Sequence, residues 1–529
     1  MQIVPTEELI QNTNNMLTVL ILAAGYGRRM GPFSRMVNKA LIPYDNKPLI
    51  SHIMEKFDSD TKFVIACGHM GQQVKDYVSA VHTNKQVVYV DIPDYSEGHT
   101  GPATTIQHCA KHISGAFFWL SCDTLFDFDY RDKMDHNWIG VHPVNSDIAQ
   151  DYCWVEREGE TITTIKNKQP SKLAVDAFIG LMYCVDNTYL DNLKAVNARE
   201  AYEGFNDNLK LQAHTVRGWK DFGTYDKWVE LSEGLKEVSF PKPNELFYYD
   251  NHKIIKFTVD STLTDRKANR ALLNPTCMPD NIRRSGQFLV YDYVDGDIIY
   301  SQLSTELFDK LLNWSNEHLW KSKWFPNTKD ICRDFYFKKT QDRLNQFRVK
   351  YNDWSEPNTV NGVDVKPMDE YLKMIDWDWL YSNTLWGFIH GDFQFENIIY
   401  NPESDKFTCI DWRTDFGGDN YGDLYYDLGK MLGGILLDYQ AVKSDKLEYS
   451  EKNEVAVLND CSIPNADIYI NQLKTFCETK GLDWDKVFLL VPLIYLNMSP
   501  LHDAPFDKYL FALAQLHFSR HFNGSANSN

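Results

Sequence analysis

Leu17–Met30 reads LTVLILAAGYGRRM, an unbroken apolar run that ends in a turn rich in glycine and arginine. The continuous β-prone run Leu17–Leu22 predicts a buried strand. Gly25 and Gly27 permit a tight turn whose main-chain N–H groups can approach phosphate oxygens, and the two arginines bring cationic donors to the same place. Such a loop also occurs as an ordinary turn, so the sequence around it decides its meaning.

Strand and helix patterns alternate after this loop. Further strands are predicted at Phe63–Ala66, Val87–Val90 and Ala116–Leu120. Between them lie the helical patterns Leu49–Phe57 and Gly71–Val81. This alternation predicts an α/β fold with a parallel sheet in the N-terminal half of the chain.

The composition is that of a folded protein with more than one domain. A chain of 529 residues is too long for one hydrophobic core, and hydrophobic residues make up 43% of it. A formal net charge of −19 argues against a protein that coats nucleic acid, because such proteins need clusters of Lys and Arg. Small nucleotide substrates are compatible with this charge, since a few local cations and Mg²⁺ suffice to hold phosphates.

The sequence predicts a cytoplasmic protein without membrane insertion. The first fifteen residues are polar and acidic, unlike a signal peptide, and the apolar runs Met16–Ala24 and Val487–Leu496 are too short to cross a bilayer. The ten cysteines form no CxxC pair, which indicates reduced, mostly buried thiols rather than a zinc site or a disulfide framework. Nothing in the sequence indicates an oligomeric state.

The segment Lys236–Asn244 (KEVSFPKPN) contains two prolines and separates two different patterns, so it predicts a domain boundary. After it, short antiparallel strands are predicted at Glu245–Tyr249, Lys253–Thr258 and Gln287–Tyr293, and the chain is mostly helical from about Thr305 onward. The predicted organisation is a flexible leader at 1–15, a first domain at 16–238, a linker at 239–244, a second domain at 245–522 and a flexible tail at 523–529.

Four further motifs accompany the first glycine loop. They are NKALIP at Asn38–Pro43, NKPLI at Asn46–Ile50, LSCD ending at Asp123, and GWKDFGTY at Gly218–Tyr225. With the loop, they resemble the Rossmann-like nucleotidyltransferases that activate sugar 1-phosphates or phosphocholine. The resemblance extends from about Met16 to Gly234.

The resemblance implies a role for each matching position. Arg29 and Lys39 would hold the triphosphate and assist catalysis, and Asp123 and Asp221 would bind the catalytic Mg²⁺. Lys168 would hold the acceptor phosphate, although its flanking sequence departs from the usual Glu-Lys-Pro and leaves Lys166 as a competitor. The positions expected to contact the nucleotide are Leu22, Ala23, Ala24, Gly25, Gly27, Gly98 and Gly101.

These residues suit nucleotidyl transfer. An acceptor phosphate attacks the α-phosphorus of an NTP and expels pyrophosphate, so both partners are anionic, and alignment and charge neutralisation dominate catalysis. CTP is the favoured NTP, but a sugar phosphate with another NTP is compatible with the same motifs. The competing interpretation is that Asp123 caps a strand end and Asp221 caps a helix.

A second set of motifs lies in the C-terminal half. HGDFQFEN at His390–Asn397 is followed, after a short predicted strand, by Ile410-Asp-Trp412. The spacing from Asp392 to Asn397 is that of kinase catalytic loops, in which the aspartate accepts the proton of a substrate hydroxyl. Asn397 and Asp411 would hold the Mg²⁺ ions that bridge the ATP phosphates.

The upstream motifs follow in kinase order. Lys256 lies in a strand that resembles the one whose lysine pairs with ATP phosphates, and Asp292 and Tyr293 lie in YDYVDG, which resembles the hinge around adenine. No G-x-x-x-x-G-K-[ST] loop is present. Because HGD replaces HRD and Asp-Trp replaces Asp-Phe-Gly, this half resembles the aminoglycoside phosphotransferase and choline kinase superfamily. The resemblance, from about Leu246 to His521, implies a bilobal, protein-kinase-like α+β domain.

One departure leaves an alternative open. The helix expected to supply a glutamate to Lys256 reads DRKANR at Asp265–Arg270, without a Glu. A nucleotidyltransferase joined to a non-catalytic, kinase-like binding module is therefore the alternative. Two further features each have a functional and a structural interpretation. Four tryptophans could form an aromatic cage for a quaternary ammonium or pack in the core: Trp377, Trp379, Trp386 and Trp412. Three aspartates could form an acceptor site or lie in a solvated loop: Asp415, Asp419 and Asp423.

The two halves together predict a bifunctional enzyme. The kinase would phosphorylate a small alcohol, amino alcohol or sugar with ATP, and the nucleotidyltransferase would convert such a phosphate into a nucleotide-activated precursor for surface polysaccharide or lipid. A choline kinase joined to a CTP:phosphocholine cytidylyltransferase is the more specific alternative.

Overall fold

The computed structural model describes residues 16–93, 101–127, 129–131, 133–235, 244–444 and 446–524. Its contacts define two compact units. The first runs to Thr264 and includes Arg283–Tyr291, and the second consists of Asp265–Ile282 and Asp292 onward. The predicted leader, Gly98 and most of the predicted linker lie outside the described residues, so the domain boundary at 239–244 stays a prediction.

The first unit contains seventeen strands and five helices among its described residues. The strands are β1 (Thr18–Ala23), β2 (Pro43–Tyr44), β3 (Lys47–Pro48), β4 (Lys62–Cys67), β5 (Gln86–Asp91), β6 (Phe117–Ser121), β7 (Thr124–Asp127), β8 (Trp138–Val144), β9 (Cys153–Glu158), β10 (Thr161–Asn167), β11 (Val175–Cys184), β12 (Gln212–Thr215), β13 (Arg217–Asp221), β14 (Glu245–Asp250), β15 (Lys253–Thr258), β16 (Arg283–Ser285) and β17 (Phe288–Asp292). The helices are α1 (Leu49–Met54), α2 (Gly71–Val81), α3 (Pro102–Cys109), α4 (Thr188–Ala195) and α5 (Tyr225–Ser232).

A nine-stranded sheet forms the centre of this unit, in the order β5-β4-β1-β6-β11-β8-β12-β10-β9. β5, β4, β1 and β6 are parallel, as the sequence predicts, but β11 runs antiparallel to both β6 and β8, so the sheet as a whole is mixed rather than parallel. β1 is buried on both faces of the sheet: Val19 and Ile21 belong to one hydrophobic cluster, and Leu20 belongs to the other. Burial on both faces explains the apolar run after Thr18, which is itself buried at the start of the strand.

A four-stranded antiparallel sheet, in the order β14-β15-β17-β16, belongs to the same unit. Its residues Tyr248, Phe257 and Phe288 lie in the same hydrophobic cluster as Tyr77 of α2. The ring of Tyr77 lies 5.7 Å from that of Tyr248 and 5.7 Å from that of Phe288, and the Tyr248 hydroxyl donates to the Leu41 carbonyl at 2.7 Å. The three strands predicted after Lys236–Asn244 are therefore present, and they share a core with the N-terminal α/β sheet.

The second unit is mostly helical, as the sequence predicts. Helix α6 (Ser261–Ala271) runs into it from the first unit, and it is followed by α7 (Ile299–Gln302), α8 (Thr305–Trp314), α9 (Thr328–Cys332), α10 (Lys339–Lys350), α11 (Met368–Met374), α12 (Trp377–Ser382), α13 (Leu424–Leu436), α14 (Tyr439–Lys443), α15 (Ala466–Thr479), α16 (Trp484–Met498) and α17 (Phe506–Gly524). Its strands are β18 (Asp297–Ile298), β19 (Thr359–Val360), β20 (Val363–Asp364), β21 (Trp386–Gly387), β22 (Ile398–Asn401), β23 (Lys406–Cys409), β24 (Gly422–Asp423), β25 (Tyr449–Lys452) and β26 (Val455–Leu458).

The core of the second unit includes α13 and α16. Of the residues in Val487–Leu496, all but Phe488 are buried in α16, so this apolar run is a core segment as predicted. Across the described parts of the chain, no helix combines the length and apolar character needed to span a membrane. The predicted bilobal, kinase-like arrangement stays a prediction.

Candidate active sites

The first candidate site lies at the carboxyl ends of β1 and β6. The chain passes from β1 to β4 and β5 on one side and returns to β6 on the other, so the strand order reverses between β1 and β6. In open α/β sheets, ligands bind in the crevice outside the strand ends at such a reversal. The glycine loop follows β1, and Asp123 follows β6 by two residues, so the topology brings both motifs to this crevice.

Lys39 is held against this loop by its neighbours. Gly27 has φ +59°, a left-handed conformation, and a Cβ atom there would lie 3.3 Å from Lys39 Cβ. The buried Asn38 donates from Nδ2 to the Ala23 carbonyl at 3.0 Å, and its Oδ1 accepts from the Ala40 N–H at 2.8 Å. Asn38 thereby fixes the start of the Lys39 turn to the end of β1.

The ammonium of Lys39 forms an ion pair with Asp123. Burial raises the pKa of the Asp123 carboxyl, but the charges of Lys39 and Arg29 outweigh burial and hold this pKa below its usual value. Asp123 is therefore ionised at neutral pH and able to act as a metal ligand.

Asp221 lies beside Asp123 through the pairing of β13 with β7. Asp221 is opposite Thr124 in this pair, and the Phe222 N–H donates to the Asp123 carbonyl at 2.9 Å. The Asp221 carboxylate accepts from the Tyr152 hydroxyl at 2.8 Å and lies 2.5 Å from the Lys227 ammonium. The pairing of β13 with β7 thus brings together two carboxylates that lie 98 positions apart in the sequence.

Arg29 completes this group. A Cβ atom at Gly223 would lie 2.8 Å from Asp221 Oδ1 and 3.7 Å from Arg29 Nη2, so the guanidinium lies next to the Asp221 loop. The structure therefore brings together all four residues to which the resemblance assigned triphosphate and metal binding. Two neighbouring carboxylates suit Mg²⁺, which proteins commonly bind through one or two carboxylates plus substrate phosphates.

The remaining predicted positions of this site have different surroundings. Leu22 and Ala23 end β1, and Ala24 is the first residue after it. Gly101 is required for packing, because a Cβ atom there would lie 2.2 Å from the Arg199 carbonyl oxygen. Gly98 lies outside the described residues.

The acceptor-phosphate lysine stays a prediction. Lys168 is exposed just after β10, with φ +50°, and its N–H donates to the Tyr152 carbonyl at 2.9 Å. Tyr152 in turn contacts Asp221. The ammonium of the competitor Lys166 lies 5.9 Å from the ring centre of Trp154.

The second candidate site surrounds the turn His390–Asp392. β22 and β23 pair so that Ile398 is opposite Cys409, and the Ile410 N–H donates to the Asn397 carbonyl at 2.8 Å. This hairpin places Asn397 and Asp411 at the same end. Asn397 Nδ2 donates to the Asp392 carbonyl at 2.9 Å and lies 3.3 Å from Asp392 Oδ2, so the three residues of the predicted catalytic and metal set are neighbours.

His390 positions this turn rather than exchanging protons. Its Nδ1 accepts from the Asp392 N–H at 3.2 Å, and its Nε2 donates to the Ile410 carbonyl at 2.8 Å, which fixes a neutral tautomer. Complete burial lowers the pKa of His390 to about 4. The ring therefore links the Asp392 turn to the Asp411 loop.

Asp427 fixes the same turn from α13. Its carboxylate accepts from the N–H groups of His390 and Gly391, both at 2.7 Å, and from Trp320 Nε1 at 3.1 Å. Arg270 supports the loop from α6 and donates to four main-chain carbonyls, those of Ile389, His390, Arg413 and Asn420. The helix that lacks the expected glutamate thus contributes an arginine to the two loops of the site.

Lys430, also on α13, faces Asp392. Its ammonium lies 2.7 Å from Asp392 Oδ1, and only 8% of its side chain is exposed. Burial raises the pKa of Asp392, but the Lys430 ammonium opposes burial and holds this pKa below its usual value. Asp392 is therefore ionised, as a residue that accepts a proton from a hydroxyl must be.

The other residues predicted for ATP binding are divided between the units. Lys256 is in β15 of the first unit, with its ammonium 5.8 Å from the ring centre of Tyr291. Asp292 and Tyr293 belong to the second unit. Asp292 accepts from Asn281 Nδ2 at 2.6 Å, and Tyr293 is 46% exposed. Their roles stay predictions.

Two of the three aspartates and two of the four tryptophans make contacts within the second unit. Asp423 is buried and lies 2.7 Å from the Lys486 ammonium, and Asp415 accepts from Arg266 at 3.2 Å. Trp412 is buried and donates to the Lys267 carbonyl at 2.9 Å, and Trp386 packs edge-on against Phe416. Core packing therefore accounts for Trp386 and Trp412.

The comparison with known families concerns the N-terminal half. Residues 19–139 match the family described as the MobA-like NTP transferase domain. The matched segment contains the glycine loop, Lys39 and Asp123, and it ends before Asp221. Residues 19–139 are thus similar in sequence to nucleotidyltransferases.

Curated relatives are similar over part of their length. The bifunctional protein GlmU of Methanococcus maripaludis is 24% identical over 228 residues, which cover 41% of this chain and 53% of the relative. The mannose-1-phosphate guanylyltransferase catalytic subunit beta of Drosophila melanogaster is 28% identical over 165 residues, which cover 30% of this chain and 40% of the relative. The chain thus spans about half the length, or less, of these relatives.

Two solved structures are similar to part of the chain. CTP:phosphocholine cytidylyltransferase from Streptococcus pneumoniae superimposes with a TM-score of 0.34 at 16% identity, over 42% of this chain and 100% of that one. A UDP-glucose pyrophosphorylase in complex with UDP-glucose superimposes with a TM-score of 0.34 at 17% identity, over 41% of this chain and 97% of that one.

Sequence reasoning missed five residues of the two sites. Lys430 and Asp427 had a detectable signal: they are the only charged residues in the apolar helix α13, three positions apart and both buried, and a buried charge needs a partner. Arg270 had no signal beyond its position in the helix that lacks a glutamate. Tyr152 and Lys227 had none, because their contacts with Asp221 depend on the fold of the intervening chain.

Proposed function

We propose that the first unit transfers a nucleotidyl group from an NTP to a phosphorylated acceptor and releases pyrophosphate. The proposal rests chiefly on the grouping of Arg29, Lys39, Asp123 and Asp221 at the carboxyl ends of β1 and β6. The similarity of residues 19–139 to NTP transferases supports it. The relatives named for mannose 1-phosphate and the solved cytidylyltransferase suggest a sugar phosphate or phosphocholine as acceptor, with CTP among the NTPs to be tested.

The cations of the site carry out most of the proposed chemistry. Arg29 and Lys39 bind the triphosphate and offset its charge as an oxygen of the acceptor phosphate forms a bond to the α-phosphorus. The bond from that phosphorus to the β-phosphate oxygen breaks, and pyrophosphate leaves with the electron pair. Mg²⁺ held by Asp123 and Asp221 would supply further charge neutralisation. No protein nucleophile is needed.

An assay of pyrophosphate release tests this proposal. The full chain is incubated with Mg²⁺, each of the four NTPs and a panel of sugar 1-phosphates and phosphocholine. We expect release with one NTP and one acceptor, and mass spectrometry should show the nucleotide-diphospho product. If all combinations are inert with protein that is folded by circular dichroism, the proposed activity is wrong.

We also propose that the second unit phosphorylates a small hydroxylated molecule with ATP. This proposal is favoured by the close placement of three residues, Asp392, Asn397 and Asp411, and by the pairing of Lys430 with Asp392. Asp392 accepts the proton of the substrate hydroxyl while the hydroxyl oxygen bonds to the γ-phosphorus. The bond from that phosphorus to the β-phosphate oxygen breaks, and ADP leaves with the electron pair. Asn397 and Asp411 offer oxygen ligands suited to Mg²⁺, which would neutralise the phosphate charge.

Consumption of ATP dependent on an acceptor tests the kinase proposal. The competing hypothesis is a non-catalytic kinase-like module, which would bind ligands without turnover. A proton-accepting aspartate held ionised by a buried lysine favours catalysis.

If the kinase product is an acceptor for the first unit, one chain makes a nucleotide-activated compound from an alcohol, as in the assembly of surface polymers.

A further inference from the structure

A cavity of about 450 Å³ in the second unit lies beside the Asp392 turn. Residues of α10, of the π-helical segment Arg333–Lys338 before it and of the loop after Asp411 line it, among them Phe335, Lys339, Arg343 and Arg413. Its volume is within the range of small-molecule sites, about 300–1,000 Å³.

Arg413 connects this cavity to the catalytic turn. Gly391 has φ +85°, and a Cβ atom there would lie 2.7 Å from Arg413 Cδ, so the arginine stem packs directly on the glycine of His-Gly-Asp. The Arg413 N–H also donates to the His390 carbonyl at 3.1 Å. The cavity therefore adjoins the His390–Asp392 turn through Arg413.

The cations of the cavity are not neutralised by carboxylates. Among the residues that the structure describes, none places a carboxylate within ion-pair distance of Lys339, Arg343 or Arg413. The Lys339 ammonium instead lies over the ring of Phe335 at 4.2 Å, and Arg343 donates to Gln346 at 2.8 Å. Burial, together with the charges of Arg413 and Arg343, lowers the pKa of Lys339 well below its usual value.

The acidic residues of the cavity offset this charge only in part. Asp415 already accepts from Arg266 at 3.2 Å and from the Gly418 N–H at 3.1 Å. Asp334 pairs with Arg333 at 3.8 Å, and Asp342 is exposed. The lining thus has four basic side chains, those of Lys338, Lys339, Arg343 and Arg413, against three carboxylates, an excess of basic groups in a protein with a net charge of −19.

We infer that this cavity binds the anionic group of the acceptor, a carboxylate or a phosphate ester on a hydroxylated carbon chain. The inference rests on the proposed kinase function of the second unit. Arg343 and Arg413 offer guanidinium donors that match either anion in a bidentate manner, and Lys339 adds a further hydrogen-bond donor. The anion is held in the cavity while a hydroxyl of the same molecule meets Asp392. A cationic acceptor such as choline is disfavoured by the same charges.

Isothermal titration of the full chain tests the inference, in the presence of Mg²⁺ and an ATP analogue that cannot transfer its γ-phosphate. The probes are glucitol, gluconate and glucitol 6-phosphate, which share a six-carbon polyol chain and differ in charge, together with choline. We expect gluconate or glucitol 6-phosphate to bind at least tenfold more tightly than glucitol and choline, and the tighter of the two identifies the anion. Equal or tighter binding of glucitol or choline would overturn the inference.

Two variants place the binding in the cavity. Arg343→Gln and Lys339→Gln should each weaken binding of the preferred anion about tenfold or more, while leaving the affinity for the ATP analogue unchanged. Lys474→Gln is the matched control, because it removes one charge from an exposed part of α15. If both variants weaken the ATP analogue as much as the anion, the cavity holds ATP phosphates and the inference is wrong.

The failure of the inference is distinguishable from that of the kinase proposal. Anion binding that depends on Arg343 without any ATP consumption would refute the kinase and leave the cavity assignment intact. Phosphorylation of glucitol or choline without preference for an anion would support the kinase and refute the cavity assignment.

Discussion

Lys430 Nζ lies 2.7 Å from Asp392 Oδ1, and the two residues belong to different elements of the second unit, helix α13 and the turn before β22. Only 8% of the lysine side chain is exposed. This pair fixes both the charge and the direction of the carboxylate that we propose to accept the substrate proton.

Replacement of Lys430 should therefore affect turnover more than binding. We expect Lys430→Met to lower kcat of ATP-dependent phosphorylation about 100-fold, because Asp392 loses the charge that keeps it ionised and oriented. The KM for ATP should change little. Lys430→Arg should recover part of kcat, since it retains the charge. Equal kcat in the parent and the methionine variant would exclude Asp392 as the base.

The two proposed activities should be separable. Asp123→Asn should abolish pyrophosphate release and leave ATP-dependent phosphorylation largely intact, because it removes a metal ligand from the first unit alone. Asp392→Asn should have the reverse effect. Both reactions are measured on each variant, with thermal melting as the control for folding. Loss of both activities in a folded single variant would contradict two independent sites.

The triphosphate contacts can be measured one at a time. Arg29→Ala and Lys39→Ala should each weaken binding or transition-state stabilisation by about 1.5–3 kcal/mol, the range for a charge-assisted hydrogen bond. Lys39→Ala also leaves Asp123 without its partner, so its effect on kcat should be the larger. Exposed Lys194 in α4 supplies a matched charge control. Parent-like kinetics in both variants would show that the glycine loop is not part of the active site.

The free energy of unfolding should depend on pH through the protonation of His390. The native imidazole stays neutral down to about pH 4, whereas in the unfolded chain it takes up a proton near its ordinary value of about 6.5. The unfolded state therefore binds more protons between these values, and stability falls as the pH decreases from about 6.5 to 4.

The expected loss is about 3 kcal/mol over that interval, with a plateau above pH 6.5. Urea unfolding of the parent and of His390→Gln at several pH values measures it, because contributions from other groups are common to both proteins. A stability difference between the two that is independent of pH would refute the neutral buried imidazole.

Because β14–β17 share a core with the N-terminal sheet, we expect the first unit to need these strands for its full stability. Tyr248 is fully buried against Tyr77 and hydrogen-bonded to Leu41, so Tyr248→Ala should destabilise the first unit by about 3–5 kcal/mol. A fragment that ends near Lys236 lacks β14–β17 and exposes the same surface. We expect it to unfold at a lower temperature than a fragment extended to Tyr291. An equal melting temperature would show that the N-terminal sheet is stable without these strands.

The sequence by itself determined the elements and the motifs of both sites. An unbroken apolar run predicted β1, and alternation predicted the parallel sheet, because these patterns depend on neighbours within a few residues. Motif spacing also selected Asp392, Asn397 and Asp411, since a short hairpin brings them together.

Only the tertiary structure decided which distant charges meet. Lys430 reaches Asp392 from a helix that begins 32 positions later, and Tyr152 contacts Asp221 from 69 positions earlier in the chain. Tertiary packing also buried Tyr248 in the N-terminal core, past the segment at which the sequence changes pattern. Such contacts follow from burial of apolar surface and pairing of buried charge, which act in three dimensions and leave no fixed spacing in the chain.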